Sequence, residues 1–229
     1  MARAGMTTSW SARAAMVARW FGVGREGVES QHRTVAAPCP RVHLGGGRVV
    51  LLTGASGAGK STFLRRLRHR SARAATWFDL PSGVPGRGLV IDCMTDAMGG
   101  GEDEPSVVAA LEALSRVGLG EVWTYLKRPA ELSEGQRWRL RLALGLAAAR
   151  PADGRQLCVL AADEFAAPLD RVTAMVVARA VRKAADARPD LCAIVATSHD
   201  DLAAALAPDA IIRCDFGHYT IEEGGRHGA

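Results

Sequence analysis

The sequence lacks any apolar run that is long and pure enough to cross a bilayer, because its Ala-rich stretches, such as residues 140–149, are short and carry arginine. It also lacks a recognisable secretory signal peptide, since arginine interrupts the apolar residues near the N-terminus. Acidic residues are missing from the first 25 positions, which contain Arg3, Arg13, Arg19 and Arg25. The sequence therefore predicts no membrane-spanning segment, and its N-terminal stretch is basic.

Cysteine pairs are missing as well. The five cysteines include no C-x-x-C pair, and the six histidines have no metal-ligand spacing, so we expect neither a disulfide framework nor a zinc site. Cys93, Cys158 and Cys192 lie in apolar runs, where a thiol behaves as a small buried hydrophobic group. The expected location is therefore the reducing cytoplasm.

The composition fits one globular domain, with 229 residues, 48% of them hydrophobic and 23% charged. The net charge of +5 permits a nucleic-acid or acidic-lipid partner without establishing one. Residues 1–36 form a basic leader, in which Trp10, Ala14, Val17 and Phe21 recur at helical spacing. This leader is either an amphipathic helix for a membrane surface or organelle targeting, or, as we favour, a helix that packs on the domain or frays.

Apolar strand-like runs alternate with helical patterns along the rest of the chain. Strands are predicted at 48–53, 89–93, 157–162 and 191–197, with a final strand or hairpin over 211–219. Helices are predicted at 60–70, 104–116, 133–150 and 170–188, with another beginning at 200, and residues 118–129 are predicted to be a broken connection. This alternation predicts an α/β fold with a largely parallel sheet covered on both faces, followed by a mobile tail over 222–229.

Residues 54–61, GASGAGKS, satisfy the pattern G-x-x-x-x-G-K-[ST] between a predicted strand and a predicted helix. Glycines let the backbone wrap around phosphates with its N–H groups inward, and the helix N-terminus attracts the same anion. Lys60 would neutralise phosphate oxygens, and Ser61 would give its hydroxyl to Mg²⁺. The predicted contacts to ATP from this loop are Gly54, Ala55, Ser56, Gly57, Ala58, Gly59, Lys60, Ser61 and Thr62.

An acidic pair follows the predicted strand at 157–162. Asp163 would stand at the carboxyl end of that strand, where a carboxylate holds Mg²⁺ through water, and Glu164 would act as the general base for the attacking water. In isolation, such a pair is more often a solvated strand end. Beside a phosphate loop, the two carboxylates predict hydrolysis of a nucleoside triphosphate.

The segment Leu132-Ser-Glu-Gly-Gln136 resembles the signature loop of ABC-type ATPases, which usually reads LSGGQ. Ser133 and Gln136 also form the pattern of a helix capping box, so the segment is expected to begin a helix in either case. The resemblance implies that Ser133, Gly135 and Gln136 contact the γ-phosphate of a nucleotide held by another protomer. The resemblance therefore implies a homodimer in which each ATP lies between two protomers.

Two further segments match the same family in the same order. Phe165-Ala-Ala-Pro-Leu-Asp170 resembles the D-loop, and the resemblance gives Asp170 a role across the dimer. His199, after the predicted strand at 191–197, resembles the switch histidine that contacts the γ-phosphate. The resemblance covers about residues 35–215 and implies an ATPase domain over 37–221, with antiparallel edge strands and a reduced helical subdomain at about 96–150.

The chain departs from transporter ATPases in two places. No glutamine lies between Lys60 and Gln136, so the metal-contacting glutamine of transporters is missing, and Asp92 or Asp96 is the expected substitute. No aromatic residue upstream of the phosphate loop is placed to stack on adenine, for which His43 or Arg41 is the expected substitute. The chain looks most like the soluble ABC-type ATPases found alone or fused to acetyltransferase-like domains.

Three functions therefore remain in view. The leading one is an ATPase whose dimer closes on ATP and Mg²⁺ to drive or gate an unidentified protein or nucleic-acid partner. The second is the ATP-binding subunit of an ABC transporter, for which a membrane permease is the less expected partner. The third is an ATP-gated module that binds DNA, which the basic composition favours.

Overall fold

The computed structural model describes residues 11–22, 39–151 and 157–224. Residues 1–10 and 23–36 of the predicted leader, and the tail beyond 224, lie outside this description. The chain divides into two compact units, residues 1–37 and 38–229. In the first unit, helix α1 (Ala12–Trp20) is capped by Ser11, whose Oγ accepts a hydrogen bond from the Ala14 N–H at 3.2 Å.

The second unit contains the strands β1 (Val49–Thr53), β2 (Thr76–Asp79), β3 (Cys158–Ala162), β4 (Leu191–Ala196), β5 (Ala210–Asp215) and β6 (His218–Glu223). They form one six-stranded sheet with the order β2-β3-β4-β1-β5-β6. Neighbouring strands are parallel except for β5 and β6, which form an antiparallel hairpin at one edge. Strands β1, β3 and β4 are buried along their whole lengths, as expected where helices cover both faces. The predicted α/β fold, with a mostly parallel sheet and an antiparallel edge, is confirmed.

The helices pack against the sheet in two groups with separate apolar cores. On one face, Phe63, Leu64 and Leu67 of the helix after the phosphate loop pack against the central strands. A larger core on the other side joins the sheet to a helical subdomain that lies between β2 and β3 in the chain. The helices of this unit are α2 (Lys60–Ser71), α3 (Val90–Met98), α4 (Glu104–Arg116), α5 (Val122–Tyr125), α6 (Glu134–Ala148), α7 (Arg171–Asp186) and α8 (Ala203–Leu206), with 3₁₀ turns at Pro129–Glu131 and Asp200–Leu202.

The strand predicted at 89–93 is wrong, because these residues begin α3. Asp92 is the third residue of the first turn, and its carboxylate accepts a hydrogen bond from the Leu89 N–H at 2.8 Å. Val90 and Met94 are buried on one side of this helix, in the larger core. A short apolar run fits both a buried strand and one face of a helix. Here the hydrogen bond from the Leu89 N–H to the Asp92 carboxylate favours the start of a helix.

Strand β2 was not predicted from the sequence, although it forms the edge of the sheet next to β3. It has only four residues, and all of them are at least partly exposed. At the other edge, β6 continues to Glu223, so residues 222 and 223 belong to the sheet and not to the predicted mobile tail. The predicted broken connection at 118–129 contains α5. No helix within the described ranges is both long and apolar enough to cross a membrane.

Candidate active site

The phosphate loop lies between β1 and α2, as the motif predicts. Gly54, Gly57 and Gly59 have φ values of 138°, 79° and 99°, which residues with a Cβ rarely adopt. Gly54 is constrained further, because a Cβ at this position would lie 2.2 Å from the carbonyl oxygen of Cys214 in β5. The sequence therefore needs glycine here both for the backbone turn and for the close approach of the neighbouring strand.

Lys60 folds back over its own loop. Its Nζ donates hydrogen bonds to the carbonyl oxygens of Gly54 at 2.6 Å and Ala55 at 2.9 Å. Ser61 and Thr62 follow in the first turn of α2, where the helix presents unpaired backbone N–H groups and the positive end of its dipole. An ammonium group and a helix N-terminus thus lie together at one loop, which suits a polyphosphate.

The two carboxylates follow β3 in a strained turn. Glu164 has a φ of 51° and an exposed side chain, and its N–H donates to the Asp163 carboxylate at 3.1 Å. A non-glycine residue in this region is unfavourable, and such strain clusters at functional sites. The turn is held by Phe165, whose N–H donates to the Ala196 oxygen at 2.8 Å and whose buried ring meets Trp138 edge-on at 5.1 Å.

His199 follows β4 on a loop that is tied to β1. The Thr197 N–H donates to the Leu52 oxygen at 3.0 Å, and the His199 N–H donates to the Thr197 hydroxyl at 3.2 Å. The next residue, Asp200, accepts a hydrogen bond from the hydroxyl of Thr53 at the end of β1. These bonds fix the backbone of the loop while leaving the His199 side chain exposed.

One cavity of about 450 Å³ brings the three segments together. Since β1, β3 and β4 are parallel neighbours, their carboxyl ends meet at one edge of the sheet. Ser61 and Asp163 both line this cavity and offer hard oxygen atoms, which fits Mg²⁺ together with phosphate oxygens. The predicted site residues that line it are Ser56, Gly57, Gly59, Lys60, Ser61, Thr62, Asp163, Glu164 and His199.

The signature segment is not part of this cavity. Ser133 is the N-cap of α6: its Oγ accepts from the Gln136 N–H at 3.2 Å, and its own N–H donates to Gln136 Oε1 at 3.1 Å, so the predicted capping box is confirmed. A Cβ at Gly135 would lie 3.3 Å from the Leu169 side chain, which places the start of α6 beside the segment before Asp170. Among the described residues, the lining of the cavity includes none of Ser133, Gly135 and Gln136.

Asp170 is the N-cap of α7. Its carboxylate accepts from the Thr173 hydroxyl at 2.6 Å and from the Thr173 N–H at 3.0 Å. These hydrogen bonds lower the pKa of Asp170 below its ordinary value, and the bond from the Thr173 hydroxyl has the larger effect. The next residue, Arg171, forms an ion pair of 2.5 Å with Asp201, so the predicted D-loop and the loop after His199 are joined within one chain.

The placement of Asp92 and Asp96 does not support either residue as the replacement for the metal-contacting glutamine of transporters. Asp92 caps α3, and neither it nor Asp96 lines the cavity. The strand that precedes the helical subdomain is β2, and it ends at Asp79, which pairs in register with Ala161 and binds Arg68. Among the described residues, the cavity lining includes none of Asp79, Asp92 and Asp96. The run Thr76-Trp-Phe is the signal for this strand, since β-branched and aromatic residues favour strands.

Arg41 and His43 lie away from the phosphate loop. Arg41 lines a second cavity of about 370 Å³ with Leu67 and Arg70, near the C-terminal end of α2, whereas Lys60 begins that helix. His43 precedes β1, and its ring lies against Gly45. Tyr219 of β6 does lie near the loop, with its hydroxyl 3.7 Å from the position that a Cβ at Gly59 would take.

Comparison with known proteins agrees with this architecture. The AAA ATPase domain family matches residues 24–195. The dimeric structure of the ATP-binding cassette MJ0796 in a post-hydrolysis state with ADP and Pi superposes with a TM-score of 0.59 at 18% identity, over 80% of this chain and 88% of that chain. Another dimeric structure of MJ0796, described as a bacterial ABC transporter cassette, gives a TM-score of 0.60 with the same identity and coverage. A comparison with curated proteins gave no significant match.

The structural likeness at this identity shows a shared fold: a P-loop NTPase sheet like that of ABC cassettes. The family match extends over most of the sequence and includes the phosphate loop, the helical subdomain and the acidic pair. The chain therefore belongs to the AAA ATPase domain family and is a P-loop ATPase domain.

Proposed function

We propose that this protein binds ATP with Mg²⁺, hydrolyses it, and closes as an ATP-sandwiched homodimer in the manner of ABC-type ATPases. The observation that carries the proposal is the single cavity in which the phosphate loop meets Asp163, Glu164 and His199. The position of Ser133 outside that cavity, at an exposed helix N-terminus, supports a site completed by a second chain.

The residues divide the chemistry among themselves. Lys60 and the backbone N–H groups of the loop hold the phosphates and balance their charge. Ser61 and Asp163 would hold Mg²⁺, which when bound neutralises charge on the phosphate oxygens. Glu164 accepts a proton from the attacking water, and His199 donates a hydrogen bond that holds the γ-phosphate in line with that water. Asp163 accepts the Glu164 N–H, and this bond keeps the base next to the metal ligand.

The strained turn at Glu164 supports its assignment as the base. Its φ of 51° costs folding energy, and its exposed side chain gains nothing from burial. Glu164 nevertheless lines the cavity that the phosphate loop also lines. Because packing does not offset the cost of this positive φ, a catalytic role for Glu164 would explain why the conformation is kept.

The first test is hydrolysis by Glu164→Gln, which keeps the shape of the side chain and removes the base. We expect kcat to fall at least about 100-fold, while binding of ATP persists. With Mg-ATP, the Glu164→Gln variant should double its mass in light scattering, because the closed state is no longer released by hydrolysis. A variant that remains monomeric at high protein concentration with Mg-ATP would contradict the homodimer.

The role of Ser133 requires a variant that keeps the helix cap. Ser133→Asp preserves the N-cap, since Asp is among the preferred capping residues, but its negative charge repels a phosphate group. We expect it to abolish both the ATP-dependent dimer and turnover, without weakening binding of ATP to the monomer. Ser133→Thr retains the hydroxyl and the cap and serves as the matched control. Normal turnover by Ser133→Asp would remove Ser133 from the site.

A further inference from the structure

The orientation of a bound nucleotide follows from the order of the strands. The groups proposed to act at the γ-phosphate and its Mg²⁺ follow β3 and β4, which lie on one side of β1. They are Asp163, Glu164 and His199, and all three line the cavity. The phosphate loop follows β1 itself. A triphosphate whose γ end points towards β3 and β4 must direct its ribose and base towards the opposite flank, where the β5–β6 hairpin lies.

The β5–β6 hairpin approaches the phosphate loop closely at this flank. Thr53 pairs in register with Arg213, and the Cys214 carbonyl oxygen is so close to Gly54 that no Cβ fits between them. On the other strand, Tyr219 packs its ring on Phe63 of α2 at 4.9 Å between ring centroids. The hairpin is therefore fixed to both ends of the phosphate loop.

The turn of this hairpin carries an exposed aromatic residue, Phe216. Asp215 and His218 pair across the strands, so the two residues of the turn are Phe216 and Gly217, with φ values of 39° and 99°. The strands β1 and β5 run parallel, and Thr53 of β1 pairs with Arg213 of β5. Ser56 and Phe216 are therefore the same number of residues beyond this pair. Its side chain is 61% exposed.

Phe216 is an unfavourable residue for the fold at this position. A two-residue turn with two positive φ values prefers Asn-Gly, and a bulky L-residue is strained there. An exposed ring gains little hydrophobic stabilisation in return. The sequence thus retains a strained, exposed aromatic residue on the flank from which the base must leave.

We propose that Phe216 is the stacking platform for the nucleobase, which the C-terminal hairpin supplies in place of an aromatic residue upstream of the phosphate loop. The inference rests on the proposed binding of ATP. Stacking on a ring face uses the π-surface that all bases share, so the contact adds affinity without choosing strongly between adenine and guanine.

The test compares ligands with and without a base. Phe216→Asn supplies the residue that the turn prefers, so the protein should fold at least as stably as the wild type. We expect this variant to bind ATP and GTP about tenfold more weakly in calorimetry, while inorganic tripolyphosphate binds as it does to the wild type. Phe216→Trp should retain the affinity for ATP. Trp123→Ala, which removes another exposed ring far along the chain, is the control and should change nothing.

The outcomes separate this inference from the proposed function. If the wild type binds ATP and tripolyphosphate and Phe216→Asn leaves both affinities unchanged, the stacking platform is refuted and the ATPase proposal stands. If Phe216→Asn weakens both ligands equally, the residue acts on the phosphate loop and the platform is again refuted. If the wild type binds neither ligand, the proposed function fails and the inference fails with it.

Discussion

The hydroxyl of buried Thr53 donates a hydrogen bond to the carboxylate of Asp200. Thr53 is the last residue of β1, immediately before the phosphate loop, and Asp200 immediately follows His199. The bond therefore joins the segment that is predicted to hold the phosphates to the segment that is predicted to sense the γ-phosphate. This hydrogen bond between two side chains therefore helps to set the distance between the phosphate loop and His199.

Breaking this bond should affect both stability and turnover. Thr53→Val keeps the shape of the side chain and leaves the Asp200 carboxylate without this donor. We expect the free energy of unfolding to fall by about 1–3 kcal/mol, because a hydrogen bond to a charged group is lost. If His199 acts on the γ-phosphate, kcat should also fall more than KM rises. Urea unfolding and steady-state kinetics would measure the two effects.

Thr220→Val in β6 is the control for this substitution, because Thr220 is exposed and valine suits a strand. It should leave both stability and kcat close to those of the wild type. If Thr53→Val had wild-type stability and turnover, the Thr53–Asp200 bond would not connect the phosphate loop to His199 functionally.

The strain at Glu164 predicts that stability and catalysis oppose each other at one residue. Glu164→Gly relieves the positive φ, whereas Glu164→Gln retains it. We therefore expect Glu164→Gly to be more stable than Glu164→Gln by about 1 kcal/mol in denaturant unfolding, although both lose hydrolysis. Equal stability of the two variants would show that the backbone at this turn is not strained in solution.

Arg182 should be the most sensitive charged position in the fold. It is 9% exposed, and its guanidinium reaches Asp209 at 2.8 Å and Asp186 at 2.8 Å. Asp209 also accepts the Val49 N–H at 2.8 Å, so the group links α7 to the starts of β1 and β5. Removing one member of a buried pair leaves a buried charge, and Arg182→Ala should cost about 3–5 kcal/mol of unfolding free energy.

The matched control is Arg179→Ala on the exposed side of the same helix, which should change stability by less than about 0.5 kcal/mol. Similar losses for the two variants in urea unfolding would contradict the assigned role of Arg182. Arg182→Lys should rescue little, since one ammonium group does not reproduce the several directed bonds of a guanidinium.

The pair Arg188–Asp190 predicts a specific acid sensitivity. The Arg188 guanidinium lies 2.6 Å from Asp190 and 3.0 Å from the Leu146 oxygen, and so joins β4 to the end of α6. The hydrogen bond from Arg188 lowers the pKa of Asp190 below its ordinary value. A lowered pKa in the folded state contributes stability above the ordinary pKa of Asp, and this contribution is lost as the pH falls through the folded value.

We therefore expect Asp190→Asn to melt at a lower temperature than the wild type at pH 7, and the difference to shrink below about pH 4 as the wild-type carboxylate is protonated. Thermal melts from neutral to acidic pH would measure this convergence. A difference that stays constant across the range would exclude a contribution from the ionised carboxylate.

The residues that line the cavity could be predicted from local motifs, because each of these motifs directly follows a strand. The phosphate loop, Asp163 and His199 were placed at strand ends, and parallel strands bring their carboxyl ends to one edge of the sheet. Their roles in catalysis stay predictions. The helix α3 and the strand β2 were missed because short apolar or mixed runs fit more than one element. As a result, Asp92 was predicted to end a strand, whereas its carboxylate caps the first turn of α3.

The sequence by itself determined the phosphate loop and its flanking elements, because these depend on glycine, a helix start and an apolar strand that are adjacent in the chain. Only the tertiary structure decided what surrounds them. The need for glycine at position 54 comes partly from Cys214, 160 residues away in the chain. The place of Phe216 in the fold depends on which strand pairs with β1. Strand order is set by packing between distant segments, which no local pattern records.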